Sequence, residues 1–415
     1  MPKFAYIYCH LKLKISLNTY LKLLFINICI EKYPVKFEDH HARDQPFTLL
    51  FRRSNAYSCD YHCSKTFYHL FSEESKVLHG KSSSPPSYLE FLPKYVVIKA
   101  SFDDLLLVEN YCYYYICNPL TKNWLELPEP PQLSKNLYPE VIYTGFGLVC
   151  KSSSISNKQL GCSTNADYNY KVVLISGLAL FEEPFREIDA PRVFKFIATI
   201  FSSNTGRWRE CEISYSRKIS FVPREHTDVV VSNGIMYWLE GRLEFKGIVA
   251  FDPFNEIGSK RCCFVDFPAQ FCRGWRASED RVCLGVVCGQ LRLSQLFKAR
   301  KSCFLLRIWE LNHNNNGTVS WVLHHEARLL VDSSEMTGEM VLLALHPING
   351  AIVFTLLGDH VCQYNILEQK LESFFQHKDG HILYLMKIAK NKKFISAFTL
   401  VHPPWPTPIL PLLSS

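Results

Sequence analysis

The segment "ICNPLTKNWLELPEPP", residues 116–131, decides the fold, because a strand, a turn and a second strand follow one another there. The apolar, aromatic run ending at Ile116 is typical of a β-strand. Asn118-Pro119 then predicts a turn, since both residue types favour turn conformations. After Trp124 the sequence alternates between apolar and polar residues, as a half-buried strand does.

The same plan recurs four more times along the chain. Its turn positions are Asn118, Ser202, Asp252, Glu310 and Asn365, which are 84, 50, 58 and 55 residues apart. A polar insertion, residues 151–169, lengthens the first step. Asn233-Gly234 and Asn349-Gly350 add strong hairpin signals, because glycine adopts a positive φ without steric cost. The repeats indicate units of about four short strands each.

Repeated four-stranded units without a helical period predict an all-β fold, a single β-propeller. We expect about six four-stranded blades, or seven if the longest step hides a second unit. The sixth would combine strands from both ends of the chain, namely "PFTLLFRR", "TFYHLFS", "HILYLMKI" and "KFISAFTL". Trp124, Trp208 and Trp321 are expected to fill the wedges between neighbouring blades, because an indole buries a large flat surface.

The composition excludes several functional classes. Hydrophobic residues make up 47% of the 415 and charged residues 20%, which suits a packed core rather than a disordered chain. The net charge is +7, but residues 1–36 hold six lysines and one glutamate, so the remainder is nearly balanced. Nucleic-acid binding needs clustered basic residues on the folded domain. We therefore expect no nucleic-acid partner.

The N-terminal segment and the cysteines bear on the cellular compartment. Lys12, Lys14 and Lys22 interrupt the apolar stretch of residues 1–36, so it is too short to span a membrane. We expect this segment to be irregular or helical. The sixteen cysteines, such as Cys112, Cys117, Cys283 and Cys288, lie in apolar runs and predict buried free thiols. A cytoplasmic or nuclear location and no membrane association follow.

Enzymatic alternatives are poorly supported by the sequence. No phosphate-binding glycine loop, zinc-protease helix or serine nucleophile motif occurs. The best metal candidate combines Cys59, His62, Cys63 and His69, but its spacing matches no common zinc site. The acidic group Glu182, Glu183, Glu187 and Asp189 is better explained as a solvated loop than as paired catalytic carboxylates. We predict no catalytic residue, no cofactor and no metal.

The ordered set of segments resembles one known family. "YYYICNPLTKNWLELPEPP" is similar to the hallmark strand of the F-box-associated β-propeller domain of plant F-box proteins. "VVVSNGIMYWLEG", "IVAFDPFNE", "CLGVVCGQLRL" with "IWEL", and the terminal "PPWPTPILP" follow in the order that the family shows. The units also resemble kelch repeats, although the Gly-Gly pair typical of kelch strands is absent. The resemblance implies a propeller domain over residues 37–410, preceded by an atypical segment, residues 1–36.

The resemblance also implies a function. In this family the propeller captures a target protein through one face, and an upstream F-box docks on the Skp-type adaptor of a cullin-RING (SCF) ubiquitin ligase. Residues 1–46 show no F-box pattern, so we expect adaptor and cullin binding only if the full-length protein carries one. The alternative is a propeller interaction module without a ligase. The target-binding residues are unknown; segments 151–170, 182–192, 222–228, 312–318 and 332–338 are candidates because they are long and polar.

Overall fold

The computed structural model divides the chain into two units, residues 1–45 and 46–415. All described residues lie in the second unit. They are 47–53, 68–72, 89, 91–92, 96–110, 113–131, 143–152, 168–177, 195–214, 229–240, 245, 247–255, 261–271, 281–300, 303–313, 319–330, 340–357, 360–373, 395–403 and 406–409. The predicted boundary between residues 36 and 37 lies outside this set.

The described residues form twenty-three strands in six antiparallel sheets. Three strands form the closing sheet: β1 (Phe47–Arg53), β2 (Tyr68–Ser72) and β23 (Ile395–Val401). Blade I contains β3 (Val97–Phe102), β4 (Leu105–Asn110), β5 (Tyr113–Asn118) and β6 (Asn123–Glu126). Blade II contains β7 (Tyr143–Ser152), β8 (Tyr168–Gly177), β9 (Lys195–Ser202) and β10 (Arg207–Ser214).

The remaining three sheets continue in chain order. Blade III contains β11 (Val230–Ser232), β12 (Ile235–Glu240), β13 (Gly247–Phe251) and β14 (Cys262–Asp266). Blade IV contains β15 (Val282–Val287), β16 (Gln290–Arg300), β17 (Cys303–His313) and β18 (Val319–Leu330). Blade V contains β19 (Met340–Leu345), β20 (Ile352–Leu357), β21 (His360–Asn365) and β22 (Lys370–Ser373).

The six sheets form a closed ring. Within each blade the strands are hydrogen-bonded in chain order, so the first strand lies at one edge of its sheet. The innermost strands β3, β7, β11, β15, β19 and β23 each contact the next in this order, and β23 contacts β3 again. This radial, all-β arrangement is that of a β-propeller, as the sequence predicts.

The expected count of six or seven four-stranded blades is wrong for the part of the chain that the structure describes. Five sheets have four strands, and the closing sheet has three. It pairs β1 with β2 on one side and with β23 on the other, joining the two chain ends as predicted. The fourth candidate strand, "HILYLMKI", lies outside the described residues. The 84-residue step contains one blade, because β7 to β10 form a single sheet with long connections.

The hydrophobic core consists of six clusters, one between each pair of neighbouring sheets. Blades I and II, for example, share a cluster that includes Leu107, Ile116, Leu148 and Val172, all wholly buried. Strands in the middle of a blade are covered on both sides, which explains why β20 is buried throughout. Neighbouring sheets are therefore stabilised mainly by apolar burial against each other.

The repeated turn position has a common structure in three blades. The side-chain oxygen Oδ1 of Asn118 accepts hydrogen bonds from the backbone N–H groups two and three residues later, at 3.0 and 3.3 Å. Asp252 does the same in blade III, and Asn365 in blade V. In blade II the backbone oxygen of Ser202 accepts from Gly206, whose φ is +62°. These turns connect the third strand to the fourth and confirm the repeat.

One turn prediction is wrong, and one predicted hairpin forms with a different turn. Glu310 does not mark a turn, because β17 continues past it to His313. Asn349-Gly350 is not a two-residue hairpin like Asn233-Gly234, whose φ values are +52° and +78°. It lies in a longer connection between β19 and β20, and the φ of Gly350 is not positive. A Cβ atom at this position would require the guanidinium of Arg292 to move.

No helix that is long and apolar enough to cross a membrane is found among the described residues.

Candidate functional site

A cavity of about 510 Å³ lies at the centre of the ring. Every sheet contributes to its wall through the innermost strand. Polar and apolar groups contribute to its surface in nearly equal parts, and the polar side chains in its wall are Lys99, Ser101, Asp103, Lys151, Ser232, Asn233 and Thr399. A concave site with a few placed polar groups is a candidate for ligand binding.

Lys99 enters the cavity wall because β3 has a bulge. The pairing with β4 shifts between Ile98 and Ala100, so Lys99 is the extra residue. Its Nζ lies 2.8 Å from a carboxylate oxygen of Glu109 and 4.5 Å from the centre of the Phe146 ring. The lysine is thus charge-paired and covered, and it joins blade I to blade II.

We define the turn face as the side of the ring where turns connect the first strand to the second and the third to the fourth. Hydrogen bonds join successive sheets at its inner rim. Ser232 Oγ donates to the carbonyl oxygen of Gly289 at 2.6 Å, which links blades III and IV. Cys288 N–H donates to Pro347 O at 2.7 Å, which links blades IV and V. Val401 N–H donates to Asp103 O at 2.8 Å, which links the closing sheet to blade I.

The cysteine prediction is only partly correct. The nine described cysteines are free thiols, and Cys117 and Cys283 are buried as expected. Cys288, however, is exposed and has a φ of +49° in a two-residue turn with Gly289. Its Sγ lies 2.9 Å from Ile348 O. Cys112 lies outside the described residues.

Two of the three predicted tryptophan wedges are confirmed. The Trp208 indole N–H on blade II donates to Pro128 O of blade I at 2.6 Å. The Trp321 indole N–H on blade IV donates to Asp266 O of blade III at 2.8 Å. Both indoles also pack against the hydrophobic cluster of their interface. Trp124 is different, since 43% of its surface is exposed.

The structure also places functional groups that the sequence analysis missed. Arg292 on β16 makes two contacts below 3 Å with the Glu310 carboxylate on β17, and its Nη1 lies 3.4 Å from Gly350 O of blade V. The guanidinium therefore joins blades IV and V. Next to it, burial and the neighbouring His324 and Arg292 lower the pKa of His325. The only signal in the sequence is that Arg292 and Glu310 are charged residues that each stand between two apolar residues of a strand.

The reactive groups that line the cavity are engaged in structural contacts. Burial, with Asp103 and Asp104 nearby, raises the pKa of the Cys150 thiol well above its usual value, so it is protonated at neutral pH. Ser232 donates its hydroxyl to a backbone oxygen, and Lys99 is paired with Glu109. Among the described residues no group of three or more His, Cys, Asp or Glu side chains could hold a metal ion.

Several candidate groups from the sequence analysis lie outside the described residues. They are Cys59, His62 and Cys63 of the zinc candidate, the acidic group from Glu182 to Asp189, and segments 182–192, 222–228 and 332–338. His69 belongs to β2. Segment 151–170 is described only at residues 151–152 and 168–170, and segment 312–318 only at residues 312–313, where the flanking strands reach the turn face.

Comparison with known proteins identifies the family. Residues 73–398 match the family described as "F-box protein At3g26010-like, beta-propeller". The chain belongs to this family. The F-box protein At5g49610 of Arabidopsis thaliana is 27% identical over 268 residues, which cover 62% of this chain and 66% of the relative. The match thus spans slightly less than two thirds of the relative's length.

Solved structures give only distant similarities. The fucose-specific lectin from Aleuria aurantia has a TM-score of 0.29 at 10% identity, with 73% of this chain and 74% of the lectin covered. Dipeptidyl peptidase 4 of Porphyromonas gingivalis has a TM-score of 0.30 at 9% identity, with 72% and 48% covered. Similarities at this level support no statement about function.

Proposed function

We propose that this F-box-family propeller is a non-catalytic module that recognises a target protein for an SCF-type, cullin-RING ubiquitin ligase. The observation that carries the proposal is the family match over residues 73–398, which includes all five four-stranded blades of the ring. A rigid ring offers a broad face for a macromolecule. Target degradation through ubiquitin would then follow from bringing the target to the ligase.

The closing sheet completes the ring between blades V and I, because it contributes Phe47 and Leu49 to the cluster with blade V, and Leu50 and Leu400 to the cluster with blade I. The protein works in the cytoplasm or nucleus without a cofactor, nucleic acid or membrane. Its free cysteines are compatible with a reducing compartment.

We place target binding on the turn face. The residue two positions after each Asx-type turn residue projects there: Leu120 in blade I, Phe254 in blade III and Leu367 in blade V. Leu120 is half-buried, and Lys151 and Lys171 lie over the Phe254 ring. Leu367 is 76% exposed. Leu367 is the uncovered member of this set, and we propose it as a contact with the partner.

Co-purification from plant cells tests the ligase role. The tagged full-length chain is expressed with a proteasome inhibitor, and the recovered Skp-type adaptor and cullin are quantified beside an F-box-containing family member as positive control. Recovery comparable to the control is expected if the full-length protein carries an F-box. Recovery at background, with a specific protein still bound, would reject ligase membership.

That outcome would favour the second candidate function, an interaction module without a ligase. It is kept because residues 1–46 show no F-box pattern.

A pair of leucine variants tests the proposed face. Proteins recovered with the wild-type chain should be lost with Leu367→Ser but retained with Leu323→Ser, which changes an exposed leucine on the outer edge of blade IV. Equal recovery with both variants would contradict binding on the turn face.

A further inference from the structure

The C-terminal segment after β23 lies against blade I. His402 Nε2 lies 2.9 Å from the Thr48 hydroxyl of the closing sheet. Further on, residues 406–409 are partly buried, and Ile409 packs against the hydrophobic cluster of blades I and II. This segment therefore has a defined binding site on the propeller.

Two buried side chains of blade I bind the backbone of one residue in this segment. The Thr407 N–H donates to Asp104 Oδ2 at 2.6 Å. The Asn118 side-chain amide donates to Thr407 O at 2.9 Å and to Asp104 Oδ2 at 2.7 Å. Both Asp104 and Asn118 are completely buried. The pair thus recognises a backbone N–H and a backbone C=O, as the edge of a sheet does.

The site is held in place independently of the segment. Asn118 Oδ1 accepts the Leu120 and Thr121 N–H groups of its own turn, which fixes the direction of its amide nitrogen. Asp104 follows Asp103 in the turn between β3 and β4, where the φ of Asp103 is +48°. Among the described residues, Asp104 Oδ1 is buried without a hydrogen-bond partner. A preorganised site of this kind loses little entropy when a peptide binds.

The sequence of the bound segment defines the chemistry of the ligand. Pro406 and Pro408 flank Thr407, and proline has no backbone N–H. Thr407 therefore offers the one N–H of these three residues, and Asp104 accepts it. Two prolines also favour an extended conformation, which reduces the entropy lost on binding. Ile409 adds an apolar anchor.

We propose that Asp104 and Asn118 form a recognition site for an extended Pro-x-Pro-aliphatic peptide, occupied in this chain by its own residues 406–409. The tail is a resident ligand, and a peptide of the same chemistry replaces it when the tail is weakened. The site is independent of the proposed ligase role.

A binding experiment with the purified full-length chain tests the proposal. The probe is a fluorescent peptide, HPPWPTPILP, which corresponds to residues 402–411. Thr407→Pro in the chain removes the N–H of the resident segment but leaves the site unchanged. The probe should bind this variant at least tenfold more tightly than it binds the wild-type chain, because its competitor has lost a charge-assisted hydrogen bond.

Matched controls separate recognition from nonspecific binding. Ser414→Pro should bind the probe as the wild-type chain does. A probe N-methylated at its threonine should bind the Thr407→Pro chain at least tenfold more weakly than the unmodified probe, with the protein unchanged in this comparison. Adding Asp104→Ala should also remove binding. Equal affinity of the wild-type and Thr407→Pro chains, or of the two probes, would overturn the proposal.

Discussion

Trp124 and Trp208 hold the same position in neighbouring blades, yet one indole is open to solvent and the other seals an interface. Each is the second residue of the fourth strand, paired with Cys117 and Phe201 respectively. Trp208 reaches the preceding blade, where it contacts Pro128 O and the Tyr114 ring. Trp124 lies against Tyr115 of its own sheet, with ring centres 5.5 Å apart.

The difference shows that the position of a tryptophan in its strand and its burial have separate causes. The turn and strand place both indoles after the third strand. Whether an indole is then buried depends on the preceding sheet. Blade I offers Pro128 O beside Trp208, and blade III offers Asp266 O beside Trp321, so each N–H finds an acceptor at a partly buried site.

The largest expected effect comes from removing the sealing indoles. Trp208→Ala and Trp321→Ala should each lower the free energy of unfolding by about 2–4 kcal/mol, because each leaves a void between two sheets. Trp124→Ala should change it by less than about 0.5 kcal/mol. Urea denaturation measures all three. If Trp124→Ala lowered the free energy of unfolding as much as Trp208→Ala does, the exposed indole would also stabilise an interface between sheets.

A smaller effect isolates the hydrogen bond. Trp208→Phe keeps an aromatic ring but leaves Pro128 O without its donor. It should lower the free energy of unfolding by about 1 kcal/mol, in addition to the loss caused by the smaller ring. Trp124→Phe serves as the matched control and should leave the unfolding midpoint unchanged. If both substitutions lower the free energy of unfolding equally, the hydrogen bond of the Trp208 N–H does not stabilise the fold.

The pH dependence tests the interface beside the open indole, between the closing sheet and blade I. Burial lowers the pKa of His402 from 6.5, partly offset by the Asp104 carboxylate. The unfolded chain then binds a proton more readily than the folded protein. The contribution of His402 to stability is therefore complete above pH 6.5 and falls as the pH drops through its folded pKa.

The melting temperature between about pH 7.5 and 5 measures this effect. His402→Gln should show a shallower fall than the wild-type chain, because the titrating group is gone. Parallel curves would show that other groups, such as His325, account for the acid sensitivity.

The smallest effect concerns fluorescence alone. The chain has seven tryptophans, and two of them, Trp238 and Trp309, are nearly inaccessible. Acrylamide should quench Trp124 more readily than either. Trp124→Phe should therefore lower the quenching constant without changing stability. An unchanged constant would mean that Trp124 is shielded in solution.

Local chemistry explains which parts of the fold could be predicted. Asn118, Asp252 and Asn365 accept N–H groups only two and three residues away, so their spacing was readable from the sequence. The end of β17 could not be predicted, because the strand continues past Glu310 through its pairing with the long strand β18. The cavity could not be predicted either, since its wall combines residues from Lys99 to Val401.

The same limit applies to the peptide site. The sequence identified Asn118 as a turn residue and the terminal prolines as part of the family pattern. It did not show that the two meet, because Asn118 and Thr407 are 289 residues apart.

The pairing of β1 with β23 has a consequence for biosynthesis. Phe47 finds its partner Val401 only after nearly the whole chain has left the ribosome. At roughly 5–20 residues per second, translation leaves one edge of β1 without that partner for tens of seconds. Nascent chains should therefore depend on chaperones until the last strand arrives, and a premature stop before residue 395 should yield a product prone to aggregation.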